Sequence, residues 1–333
     1  MRPDRALRRW WKSREYRGLL DAAADALAAG RHADAEEICS RALALAEEIH
    51  GPDHAEVVTP LYALSSSRLA QGRLEEARAS SRRAIAVAEA APGEVEPPLP
   101  QLLEQLAAIL ERLGEGEEEE ALFRRMLAGY ERMRDPDRAE LSALLNRLGL
   151  LLGRKGQREE AAPLFARALA LREAVFGPEH PLVAEVLYNA ATMSPGGAPA
   201  DAEAMLRRAL GIVERLDDAR AGSSRRGEAL EPALGPSILH NLAVLREEQG
   251  DAKEATSLYE RALAAREALV GASHPELRPT LVRLAQLRHK AGQPTAALPL
   301  YERALDLTIA EHGSAHPAAE ALRSWIAEAR QRS

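Results

Sequence analysis

The sequence predicts an all-α fold: seven antiparallel helix pairs stacked in a row and closed by a C-terminal capping helix. Three observations carry that prediction. The 333 residues are 46% hydrophobic and 29% charged but only 4% aromatic, and the excess of Ala, Leu, Arg and Glu suits helices packed closely through small side chains. Glycines that each follow a helical stretch stand at Gly30, Gly72, Gly114 and Gly156, each 42 residues after the last, and Gly250 and Gly292 resume the interval. Around them, columns of small and bulky residues keep one phase over about 300 residues, which unrelated amphipathic helices would not do.

The columns define one repeating unit: helix A, a Gly turn, helix B. Five residues after each glycine stands a small residue, Ala35, Ala77, Ala161, Ala255 or Ala297, with Glu119 breaking the column in the third unit. Seven further on come Ala42, Ala84, Met126, Ala168, Ala262 and Ala304, and between the two lie Cys39, Ser81, Phe123, Phe165, Tyr259 and Tyr301. Seven residues before the glycine, Ala23, Ser65, Ala107, Gly149, Ala243 and Ala285 form a further small column, usually preceded by Leu. Small residues let two backbones approach while Leu, Phe and Tyr fill the remaining gaps.

The phase slips once. Between Gly156 and Gly250 lie two periods plus ten residues, and the excess fits an inserted polar loop at 217–231. A degraded fifth unit fills the rest, with helix A near Leu182 to Met193 and helix B near Ala200 to Asp217, joined by the breaker-rich Ser194-Pro-Gly-Gly-Ala-Pro. Second helices end in Gly51-Pro-Asp-His, Gly177-Pro-Glu-His-Pro, Gly271-Ala-Ser-His-Pro and Gly313-Ser-Ala-His-Pro, read as helix-to-helix connectors because Gly ends a helix and Pro starts one. The expected organisation is a basic helical extension at 1–15, repeats at 16–54, 55–96, 97–137, 138–181, 182–232, 233–275 and 276–317, and a capping helix at 318–333. In that last segment Leu322, Trp325, Ile326 and Ala329 form a single apolar face, as a stack needs to cover its open end.

Composition also excludes classes. No apolar run approaches the roughly 20 residues of a membrane span, no secretory leader is evident behind Met1, and one cysteine, Cys39, permits neither an internal disulfide nor a cysteine metal cluster. A cytoplasmic setting is expected. The net charge of −7 argues against nucleic acid as partner, which needs a broad basic face. Residues 1–17 are locally basic, with seven Lys/Arg against two acids around Trp10-Trp11. Two readings stay open there: a partner-docking segment, or a helix extending the first unit with its Trp pair packed on Leu7 and Tyr16.

The pattern of small residue, Gly turn, Ala, aromatic and Ala-Leu resembles the tetratricopeptide repeat. Its 42-residue period and Gly-Pro-Asp/Glu-His-Pro connectors are similar to the subtype found in kinesin light chains and many bacterial proteins. The match runs from about 16 to 317 and is closest in units four, six and seven, through Leu145, Leu148, Gly149, Ala161, Phe165, Ala168 and their counterparts. Pro60 inside a first helix, Glu119 and the broken fifth turn depart from it. The resemblance implies a right-handed superhelical solenoid whose first helices line a groove for a protein or peptide.

Carried onto these positions, the resemblance gives a peptide-binding groove of Asn146, Arg147 and Arg154 in unit four, Tyr188 and Asn189 in unit five, His240 and Asn241 in unit six, and Arg283, Gln286, His289 and Lys290 in unit seven. Amides can satisfy an extended peptide backbone and Arg can fork onto a carboxylate, so an acidic or mixed-charge partner is expected. Unit three instead presents Glu104, Gln105 and Glu111, so the groove's charge should change sign.

Catalytic chemistry finds no foothold, and no cofactor or metal is expected. His312/His316 and His50/His54 have zinc-like spacing but belong to connectors. Gly114-Glu-Gly116 runs into four glutamates that would repel phosphate, and Cys39 falls in the column of Phe165 and Tyr259. The leading expectation is therefore a non-catalytic scaffold or adaptor. The alternative is a sensor of a short signalling peptide that flexes at the fifth turn. An enzyme is the remote third reading and would need a cluster such as His240 and His289 to coordinate something.

Overall fold

The computed structural model describes the backbone of residues 5–193, 199–221 and 232–332, and the side chains of 11–193, 200–218 and 232–332. Among the described residues fifteen α-helices and no strand occur. They follow one another as α1 (Arg5–Ala28), α2 (His32–His50), α3 (Val58–Ala70), α4 (Leu74–Ala90), α5 (Leu99–Leu113), α6 (Gly116–Arg132), α7 (Arg138–Arg154), α8 (Arg158–Phe176), α9 (Pro181–Met193), α10 (Pro199–Ala221), α11 (Leu234–Glu248), α12 (Ala252–Val270), α13 (Arg278–Lys290), α14 (Pro294–His312) and α15 (Pro317–Gln331). None is long and apolar enough to cross a membrane.

Six of the helix pairs turn by one local device. At Gly30, Gly72, Gly114, Gly156, Gly250 and Gly292 φ lies between 70° and 84°, a left-handed conformation that favours glycine. The following N–H then reaches back to the carbonyl five residues earlier, as from Arg31 to Ala26, Arg73 to Arg68 and Gln157 to Leu152, all at 2.9 Å. Carbonyls that a helix end would leave open are thereby bonded.

The connectors use a second device. The Nδ1 atoms of His54, His180 and His316 each accept the N–H two residues ahead at 3.2 Å, and His274 does the same at 3.4 Å. Three of these rings also stack on the ring four residues behind, His54 on His50, His180 on Phe176 and His316 on His312, with centroids 4.6–4.7 Å apart. These histidines sit in the connectors and cap the helices that follow, a role the Gly and Pro pattern did not disclose.

The chain divides into two compact units, Met1–Pro136 and Asp137–Ser333. In each, neighbouring helices pack in sequence, and first helices also touch the next first helix, α3 on α5 in one unit and α7 on α9 in the other. The small columns are sealed: Ala35, Ala77, Ala161, Ala255 and Ala297 are fully buried, as are Ala42, Ala84, Ala168 and Ala304. Phe165 and Tyr259 occupy the centres of their pairs, 1% and 0% exposed. Gly149 is required by that packing, because a Cβ there would stand 2.9 Å from the Phe165 ring. Cys39 is equally buried, and burial pushes its thiol up to about 11.

Consecutive second helices are joined by Arg–Glu pairs. In the first unit Arg83 donates to Glu47 at 2.6 Å and to the connector carbonyl of Pro52 at 3.1 Å, and Arg125 pairs with Glu89. In the second unit Arg208 pairs with Glu173 at 2.5 Å, Arg261 with Glu214, and Arg303 with Glu267. Arg208 and Arg303 also donate to the connector carbonyls of Pro178 and Ala272. One guanidinium thus holds a neighbouring helix and the connector leading out of it.

Several departures from the repeat pattern now have physical form. Pro60 falls in the first turn of α3, where no intrahelical N–H bond is lost, so the helix is uninterrupted. Glu119 stays in the core column as a buried side chain, 4% exposed. Helix α1 runs continuously across residue 15, and Tyr16 is buried with its hydroxyl donating to the Glu56 carbonyl at 2.6 Å. Trp11 is 57% exposed, with the Arg14 guanidinium 6.0 Å from the centre of its ring. The other members of that expected cluster, Trp10 and Leu7, have side chains outside the described residues. So do the fifth turn at 194–198 and most of the inserted loop, at 222–231. In α15, Leu322, Ile326 and Ala329 are buried and Trp325 is half-buried.

Candidate functional site

The first helices of the second unit are α7, α9, α11 and α13, and the side chains at two and three residues before the small column decide what their shared face carries. On α7 and α9, Asn189 donates to Asn146 at 3.1 Å, and Asn146 donates to Glu185 at 3.1 Å. On α9 and α11, Asn241 donates to the Tyr188 hydroxyl at 3.2 Å. The same register operates in the first unit, where Gln105 of α5 donates to the Tyr62 carbonyl of α3 at 3.2 Å and to Ser66 at 2.7 Å. Sequence separations of 43, 43 and, across the insertion, 53 show one rule: the residue two before the column reaches the residue three before it in the preceding repeat.

This seam is largely sealed where it is built of asparagine. Asn146 is 3% exposed and Asn189 8%, so their amides satisfy each other. Beneath them Arg172 of α8 is buried, donates to the Leu182 carbonyl at 2.5 Å and pairs with Glu185 at 3.4 Å. Burial lowers the Arg172 pKa, and the Glu185 carboxylate opposes that shift.

Towards α13 the chemistry changes. The His240 Nδ1 lies 3.0 Å from the Thr280 hydroxyl, and the ring sits edge-on to Tyr259 at 5.3 Å. Burial, aided by the Arg266 and Arg283 charges, pushes His240 down to about 4, so at neutral pH it is an uncharged member of the face. Glu247 of α11 receives the Tyr259 hydroxyl at 3.2 Å and stands 3.7 Å from Arg283 and 3.8 Å from Lys290. Burial and the Glu247 charge raise the Tyr259 pKa.

The expected site residues therefore separate into groups. Asn146 with Asn189, and Tyr188 with Asn241, are joined directly, while Arg283 and Lys290 share Glu247. His289 is half-buried and edge-on to Tyr301 at 6.3 Å, whereas the His240 ring is edge-on to Tyr259. Arg147 and Gln286 are half-buried and Arg154 is exposed. Glu185, Glu247, Thr280 and Arg172 belong to the face but escaped the sequence reading. Glu247 had a visible mark: its position, three before the Gly, is Leu27, Leu69, Glu111, Gly153 and His289 in other units, a column varied in chemistry. The first unit's face is neutral to acidic by contrast, with Tyr62, Ser66, Gln101, Glu104 and Gln105 around a cavity of about 500 Å³.

Comparison with known proteins agrees with this architecture. A sequence model described as tetratricopeptide repeat matches residues 16–90, 98–174, 140–215 and 236–310. Among solved structures, BtubC (BKLC) from P. vanneervenii is 26% identical, with 73% of this chain and 94% of that chain covered and a TM-score of 0.58. A tetratricopeptide repeat protein from Parabacteroides merdae is similar over 95% of this chain and 99% of its own, at 15% identity and a TM-score of 0.58. The apo form of RapI aligns over 94% of this chain and 86% of its own, at 12% identity and a TM-score of 0.61. The last two likenesses concern the fold alone. No curated protein matches the sequence.

Proposed function

We propose that this chain, which belongs to the tetratricopeptide repeat family, is a non-catalytic scaffold or adaptor that receives an acidic or mixed-charge partner segment on the first-helix face of its second unit. One observation carries the reading. Arg283 and Lys290 are exposed there, and among the described residues the one carboxylate paired with them, Glu247, stands beyond hydrogen-bonding distance, whereas second-helix arginines such as Arg83 hold hydrogen-bonded partners. A cation left without a close acceptor beside bonded neutral amides is suited to taking a carboxylate from outside. Repeats of this family supply the frame, since residues on successive first helices keep a fixed spacing along an extended segment.

The test is affinity capture from native lysate with wild type beside the Arg147→Glu/Arg283→Glu variant, followed by titration of the captured partner. Charge reversal is expected to weaken that partner by about tenfold or more while circular dichroism stays unchanged. Equal affinity for both chains would remove the first-helix face from recognition.

A further inference from the structure

On the second-helix side of the first unit the same depression occurs twice. One, of about 330 Å³, lies between α2 and α4 with Leu61 and Leu64 of α3 at its base. The other, of about 350 Å³, lies between α4 and α6 with Leu103 and Leu106 of α5 at its base. The walls repeat as well, each residue 42 after its counterpart: Leu43 and Ile85, Ala44 and Ala86, Ala79 and Ala121. These four alanines are exposed, and a methyl group is too short to close over the leucines between them. The polar side chains around both depressions are spent on neighbours. Arg83 donates to Glu47 at 2.6 Å, Arg82 to Glu118 at 3.1 Å, Arg68 to Ser80 at 2.8 Å and Ser40 to the Glu36 carbonyl at 2.8 Å, and Arg125 pairs with Glu89. Two of these pairs are lopsided: the Arg82 and Arg125 side chains are 51% and 56% exposed, Glu118 and Glu89 only 31% and 34%.

From this geometry we infer that the paired depressions dock an amphipathic α-helix of a partner protein, whose large apolar side chains enter over Leu61/Leu64 and Leu103/Leu106 while acids on its flank meet Arg82 and Arg125. The backbone decides for a helix. An extended segment needs partners for its N–H and C=O groups once they leave water. Among the described residues the lining offers none, because each polar side chain already holds a partner, whereas a helix brings its backbone bonds with it. Spacing agrees: the step between the depressions is one repeat, on the order of 10 Å for stacked helices, which about two helical turns span. Charge selects the flank, since the guanidinium of each lopsided pair faces out and the carboxylate in. The helix belongs to another protein because the apolar face of this chain's own terminal helix, α15, is buried in its stack through Leu322, Ile326 and Ala329. This surface is separate from the first-helix face and stands or falls without it.

The experiment selects, on the full chain, from displayed helices of about 18 residues that vary apolar residues along one stripe and Glu, Gln or Lys beside it. Winners should carry large apolar residues about seven or eight apart, with Glu rather than Lys on the flank. As labelled synthetic peptides read by fluorescence anisotropy, they should bind Ala44→Phe and Ala86→Phe each about tenfold or more weakly, because each substitution fills one depression from its exposed rim. Circular dichroism should show both variants folded. Arg82→Glu should weaken a Glu-flanked winner and restore the same peptide with Lys in place of Glu. Arg147→Glu/Arg283→Glu should leave affinity unchanged, and winners weakened by that variant alone would overturn the inference while keeping the first-helix reading. Winners that tolerate a central proline would overturn the helix. Binding indifferent to both Phe substitutions, or no winner at all, would overturn the site. A wild-type chain that sediments as a dimer, and as a monomer with Ala86→Phe, would overturn the foreign helix in favour of a second copy.

Discussion

Along the first helices consecutive repeats are joined by neutral groups, Asn189 to Asn146 and Asn241 to Tyr188, whereas along the second helices they are joined by charges, Arg83 to Glu47 and Arg208 to Glu173. Exposure explains the division. The Asn146–Asn189 pair is nearly sealed, and a buried neutral amide costs little once bonded, while a buried ion pair carries a large desolvation penalty. The Arg83 and Glu47 side chains remain 38% and 34% exposed, so their charges keep much of their hydration and contribute modestly. The difference teaches that one seam sets register in a dry environment and the other adjusts it in water.

The comparison can be broken most forcefully from the residue between the seams. Phe165→Ala empties the centre of the α7–α8 pair and should destabilise the fold by about 3–5 kcal/mol in urea titration, loosening both seams at once. Next is the titratable member of the first-helix seam. His240 sits at about 4 in the fold against an ordinary 6.5, so between those values the unfolded chain binds more protons. Stability should therefore be fully present above pH 6.5 and fall as the pH drops through about 4, by at most ~3 kcal/mol. His240→Gln should flatten that slope, and an unchanged slope would remove His240 as its source.

A smaller effect separates the seams directly. Asn189→Ala leaves the Asn146 carbonyl without its donor and should cost about 1–3 kcal/mol, independent of salt. Arg303→Ala removes a second-helix pair and should cost about 1 kcal/mol or less, a difference that shrinks as salt rises to about 1 M. Equal salt dependence in the two variants would erase the distinction.

What the sequence disclosed depended on how local each feature was. The Gly turns and the connectors were legible because each is completed within about six residues and glycine tolerates the positive φ; the cap that His supplies to its own next helix was not. Helices α9 and α10 fell close to their expected bounds despite weak motifs, since Ala202, Leu206 and Ala209 kept the column phase. The site was legible only as positions. That Asn146 and Asn189 would be spent on each other depends on a contact 43 residues away, and a single position gives no hint of its partner's reach. The second-helix seam was written plainly in the 42-residue spacing of Glu47, Glu89, Glu131 and Glu173, yet charged columns read as solvated surface. The uncharged state of His240 was not legible either, because the burial that removes its charge is a tertiary property.

At His54, His180 and His274 the chain passes between repeats, and at His316 into the capping helix, through the same cap. At the first three of these joints an arginine of the next second helix, Arg83, Arg208 or Arg303, ties the same connector. A segment excised or duplicated between two such joints leaves ends that already match. The length of this molecule is thus a quantity that can change in whole steps by recombination, each new junction inheriting its parts from the old.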